Sequence, residues 1–191
     1  MSRLTKFLGD TIQLCVKHNV ELKLIPSSSV VVDANVTSSG YFDDTSLVVA
    51  TKRPDWVDVL VHETCHLDQY IEKAPCYKKG EKGIFITDDW LDGRRVSKTQ
   101  LVEAFKNIIL MELDCEQRTV KKIKKYKLNI NLSKYIQQSN SYLFSYWATY
   151  RDRKWYPFPY SNPKIVKNMP KKFLSVKEYM APYNKYLKLY K

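Results

Sequence analysis

The stretch "DVLVHETCHLDQY", residues 58–70, places two of the chain's three histidines four positions apart on an apolar run. On an α-helix, positions i and i+4 differ by about 40° around the axis, so His62 and His66 project in the same direction. That spacing lets both imidazoles bind one divalent cation from one side, while Glu63 on the flank can take a proton from a cation-bound water. One helix would then supply two metal ligands and a base. The competing reading is a partly buried helix carrying two incidental histidines.

The flanking sequence supports the helix. In residues 54–73, Pro54 suits a first turn, Asp55 suits the positive end of the helix dipole, and Val57, Leu60, Val61 and Leu67 form a buried stripe. Upstream, residues 3–18 have amphipathic helical spacing. Four short β-branched or aromatic runs follow, at 20–25, 30–35, 39–44 and 46–51, and predict a small, mostly antiparallel sheet. Downstream, Pro, Gly and Lys in 74–96 predict a long excursion, with 83–90 as a further strand or flap. A second helix opens at Ser97, with Gln100 completing a capping box, and runs to about Tyr126. Further helices are expected at 132–150 and 175–189, on either side of a proline-broken aromatic stretch. The fold class is α+β.

A tetrahedral catalytic zinc needs a third protein ligand and an open fourth position. The remaining histidine, His18, lies upstream at the end of a helix, so any downstream ligand must be a carboxylate or a thiolate. On the second helix the apolar stripe Leu101, Phe105, Ile108, Ile109, continued by threes and fours, lands on Glu112 and Glu116. Two carboxylates on a buried face are costly without compensation, and a metal with its imidazoles provides it. Glu112 is therefore read as the third ligand, and Glu116 as accepting a hydrogen bond from a ligand imidazole. The swapped assignment stays open, as does a plain surface pairing of Glu112 with a nearby lysine.

"HETCH" (62–66), then 45 residues, then "ELDCE" (112–116) resembles the paired motifs of gluzincin zinc metallopeptidases. Cys115 fills the small position of the second motif, and Glu116 stands where Asp or Asn is usual. The lead-in "SGYFDDTSLVVATKRPDWVDVLVHETCH" (39–66) resembles that of small intracellular zincins, including the ImmA/IrrE-like and SprT-like groups, and the whole is similar to small zincin-like proteins encoded by bacteriophages. SprT-like proteins use a downstream histidine that this chain lacks. The resemblance covers roughly residues 20–125. It implies a minimal zincin-like domain over 1–126 that binds Zn2+ through His62, His66 and Glu112 and hydrolyses peptide bonds, with Glu63 as the base. The strand at 46–51 would be the edge along which a substrate lies.

Charge separates the remainder. Residues 120–191 hold 17 Lys/Arg against 2 Asp/Glu, while residues 1–119 hold 15 against 18. Residues 127–191 therefore read as a basic, aromatic-rich helical extension packed on the first domain. Its lysines could meet phosphates and its aromatics stack on bases, so nucleic acid is a candidate partner beside a protein or peptide substrate; the plainer reading is a solvated basic surface over an aromatic core. Tyr142, Tyr146 and Tyr150 share a helical face, as core packing or as an oxyanion donor. The four cysteines form no Cys-x-x-Cys pair and read as reduced thiols. No secretory signal or membrane span is visible, so a cytoplasmic protein is expected, in the host cytoplasm if phage-encoded. Three functions compete: a zinc peptidase, a nucleic-acid-binding protein on a zincin-like scaffold, and an interaction module without turnover.

Overall fold

The computed structural model describes residues 2–33, 36–156, 158–181 and 183–190. Over these residues the chain is α+β, with seven α-helices, a three-stranded mixed sheet and a two-stranded sheet. None of these helices is long and apolar enough to cross a membrane. Contacts group the chain into two compact units, Met1–Ala74 with Gln117–Ile130, and Pro75–Glu116 with Asn131–Lys191.

The first unit opens with α1 (Arg3–Lys17). Ser2 Oγ caps it by accepting from the Thr5 N–H at 3.0 Å, and Phe7, Thr11 and Cys15 are buried along one stripe at a spacing of four. Asn19 takes the left-handed conformation (φ 56°) that ends the helix and turns the chain into β1 (Glu21–Ile25). A hairpin of β2 (Val30–Asp33) and β3 (Val36–Ser38) follows; the expected strand at 30–35 extends into residues 34 and 35, which lie outside the described set. Then come β4 (Gly40–Phe42) and β5 (Ser46–Ala50). The larger sheet has the order β1-β5-β4, with β1 parallel and β4 antiparallel to β5.

This order corrects the expectation that 46–51 offers an edge. Strand β5 is central, buried along its whole length, and its main-chain groups are paired on both sides. The alternation of residue types could not reveal this, because a short apolar run reads alike at an edge and at a centre.

Helix α2 (Trp56–Ile71) packs on β4 and β5, with Leu60, Val61 and Leu67 fully buried. Gly40 allows the close approach: a Cβ there would lie 2.7 Å from Val59 Cγ1 and 2.8 Å from the Val48 carbonyl oxygen. The last turns of α4 (Lys98–Tyr126) belong to this unit and hold α2 by polar contacts. Lys122 Nζ reaches Asp68 at 2.8 Å and the Thr64 carbonyl at 3.1 Å, and Arg118 pairs with Glu72 at 2.7 Å.

In the second unit, residues 75–91 form α3 (Pro75–Leu91) and not the excursion with a strand or flap expected there. Its buried positions Tyr77, Gly80, Gly83 and Thr87 recur at three and four. The glycines mark a helix–helix contact. A Cβ on Gly80 would lie 2.4 Å from Met111 Sδ, and one on Gly83 would lie 2.7 Å from the Ala104 carbonyl oxygen. Glycine read as a breaker is here a space-saver that brings α3 against α4.

Helix α4 begins with the expected capping box: Ser97 Oγ accepts from the Gln100 N–H at 3.2 Å, and Gln100 Oε1 accepts from the Ser97 N–H at 3.3 Å. Its residues Leu101, Phe105, Ile108 and Ile109 join Leu143 and Phe144 of α5 (Leu132–Asp152) in one core, which Tyr179, Leu187 and Tyr190 complete.

The expected terminal helix at 175–189 is instead a short α-helix, Val176–Tyr179, and a separate 3-10 turn, Lys185–Leu189. Pro182 in the sequence between them lacks an N–H to continue an α-helix. Side chains of α5 tie this segment down. Asn140 Nδ2 donates to the carbonyls of Pro170 (2.8 Å) and Lys172 (3.0 Å), and its Oδ1 accepts from the Tyr179 hydroxyl. Arg151 donates to the carbonyls of Leu187 (2.9 Å) and Tyr190 (2.6 Å).

Candidate metal centre

Two successive turns of α2 bring His62 and His66 together as the i, i+4 spacing predicts. Their Nε2 atoms stand 3.1 Å apart and the rings meet edge to face. His66 is buried and His62 partly so. Two nitrogens sharing a tetrahedral zinc, each at about 2.05 Å, would stand about 3.3 Å apart, so the pair fits one small cation. His66 Nδ1 lies 2.9 Å from Oε1 of Gln69, which is fully buried one turn further along α2. That acceptor holds the hydrogen on Nδ1 and leaves Nε2 with its lone pair, the tautomer a metal ligand requires. The sequence carried this signal as a glutamine three residues after the second histidine, and the motif reading passed over it. Glu63, between these turns, is buried with 8% of its surface exposed.

His62 and His66, both on α2, each offer one ring nitrogen that could hold a metal ion. From the sequence, Cys115 reads as a reduced thiol filling the small position of the second motif, with a thiolate among the allowed downstream ligand types. It is fully buried and unbridged, as are Cys15 and Cys65.

Glu112 and Glu116 are both buried, as the stripe predicts, and each receives hydroxyls from α5. Glu112 Oε1 accepts from the Tyr146 hydroxyl at 3.2 Å, and the Tyr142 hydroxyl stands 3.5 Å from the same oxygen and 2.6 Å from Tyr146. Burial, then the Glu112 carboxylate and Tyr142, hold the Tyr146 phenol well above its ordinary pKa, so it stays protonated and donating. Glu116 Oε2 accepts from Ser139 Oγ at 2.7 Å and from the Tyr135 hydroxyl. Of the tyrosine stripe, Tyr142 and Tyr146 thus serve a carboxylate. Tyr150 is core: it stacks on Trp147 with centroids 4.4 Å apart and meets Phe105 edge-on.

Comparisons with protein-family models, with curated proteins and with solved structures find no match for this chain.

Proposed function

We propose that the chain is a zinc-dependent peptidase of zincin-like fold, with His62 and His66 as metal ligands and Glu63 as the general base. The observation that carries this reading is the convergence of two imidazole nitrogens, 3.1 Å apart, on the helix that also carries a buried glutamate beside them. Bound zinc would supply an acidified water and a Lewis acid for the scissile carbonyl. Glu63 takes the proton from the attacking water and returns it to the leaving amine. Gln69 keeps His66 in the ligating tautomer.

The third ligand in this reading is Glu112, with its Oε1 oriented by the Tyr146 hydroxyl. Cys115 is the competing third ligand, because it offers a thiol three residues on from Glu112 along the same helix. Zinc titration of E112Q and C115S separates them, since the true ligand is the one whose loss weakens zinc most.

Removing the base tests the activity. The zinc-loaded chain and its E63Q variant are incubated with a peptide library, and new termini are read by mass spectrometry. E63Q should keep wild-type zinc content and lose cleavage by about 10²–10⁴-fold. New termini produced equally by both proteins, or wild-type zinc content in H62A/H66A, would remove the basis of the proposal.

A further inference from the structure

The three-stranded sheet ends on β1, with no strand beyond it among the described residues. The Glu21 N–H donates to the Thr45 carbonyl at 2.8 Å, and the Ile25 carbonyl accepts from the Thr51 N–H at 2.8 Å. Glu21, Lys23 and Ile25 therefore turn their main-chain groups toward β5 and the residues flanking it. By alternation Leu22 and Leu24 turn theirs the other way, to the open edge. Leu24 is 40% exposed there. An open edge of this kind is a template for another strand unless side chains forbid it.

The side chains of β1 forbid most symmetric pairings and leave one. Lys23 and Glu21 project from the same face and pair with each other at 2.8 Å, with side chains 41% and 65% exposed. In an antiparallel pair of two β1 strands, outward residues must meet outward residues, so the two-fold axis falls on a residue and not between two. An axis at Glu21 or at Lys23 sets like charges opposite each other. An axis at Leu24 or at Ile25 sets Pro26, which has no N–H to give, against an outward leucine. An axis at Leu22 sets Leu22 against its own copy and Glu21 of each strand against Lys23 of the other. Opposite charges are then matched twice, and the outward N–H groups of Leu22 and Leu24 meet the carbonyls of Leu22 and Val20 in the facing strand.

We propose that β1 pairs with β1 of a second copy of this chain, antiparallel about Leu22, so that two three-stranded sheets join into one of six strands. The occupant is a copy of the same chain because Glu-Leu-Lys, read in the reverse direction, is its own complement in charge. Lys23, which alone would guard the edge, here selects the register.

The test is analytical ultracentrifugation of the full chain over a concentration series at low salt. Wild type should show a concentration-dependent monomer–dimer equilibrium. E21K and K23E each turn both matched pairs into like-charge pairs, at exposed side chains that leave the fold intact. Each variant alone should weaken the dimer by about tenfold or more. An equimolar mixture of the two, with one carrying a fluorescent label, restores opposite charges between copies while each copy still lacks its internal ion pair. The mixture should therefore form a heterodimer close to wild-type strength. A wild type that stays monomeric at every concentration, a dimer unchanged in E21K and K23E, or a mixture no tighter than its components would overturn the proposal.

Discussion

Replacing Gln69 by leucine tests the proposed metal centre without touching a ligand. Gln69 is fully buried, and its Oε1 stands 2.9 Å from His66 Nδ1. Leucine fills comparable volume but offers no acceptor. Losing that bond and stranding the Nδ1–H costs about 1–3 kcal/mol. At about 1.4 kcal/mol per decade this is roughly a 5- to 150-fold loss of zinc affinity. It overlaps the 10- to 100-fold typical of changes to groups that orient a ligand imidazole. If the ring relaxes by moving its hydrogen to Nε2, the lone pair leaves the metal side and the effect has the same direction. Q69E keeps an acceptor at the position and should recover most of the affinity. The assay is competition with a chromogenic zinc chelator, together with the zinc-induced rise in melting temperature, on protein verified as folded by circular dichroism. A merely structural Gln69 would lower the melting temperature with and without zinc alike. Folded Q69L with wild-type zinc affinity would show that this contact does not prepare His66 for a metal.

The glycines of α3 make a second test, because the sign of glycine-to-alanine should depend on what a Cβ meets. G9A on α1, with nothing within 4 Å, should gain about 0.5–1 kcal/mol from helix propensity. G83A should lose about 1–2 kcal/mol net, because its Cβ meets backbone that cannot rotate away, and chemical denaturation of both variants reads the difference. N140A removes three hydrogen bonds that fix the C-terminal segment to α5, so about 2–4 kcal/mol and a clear drop in melting temperature are expected. Tyr126 gives a pH signature. Burial and its hydrogen bond to Asp10 raise its phenol to about 12, so its contribution is complete below the unfolded value near 10 and is lost as pH rises through about 12. Y126F should lack that alkaline component in stability curves taken between these values.

The parts that the sequence determined by itself are those whose geometry is local. A helix fixes the relative direction of residues four apart, so His62 and His66 had to converge wherever α2 came to lie. The capping box at Ser97 and Gln100 closes within one turn, and it formed as read. Burial of Glu112 and Glu116 followed from the same periodicity, since the apolar stripe of α4 continues through them.

Tertiary structure decided everything that depends on a partner distant in sequence. Gly80 and Gly83 look like breakers until Met111 and Ala104 arrive opposite them. Strand β5 looks like an edge until β1, more than twenty residues earlier, pairs with it in parallel. Cys115 reads as a small residue beside two glutamates, and only the packing of other elements on α4 buries it completely. Tyr142 and Tyr146 share a helical face by sequence, but only the packing of α5 on α4 selects a carboxylate for their hydroxyls. The reason is common to all four: periodicity says which way a side chain points along its own element, and the chemistry it performs is set by what another element brings to meet it.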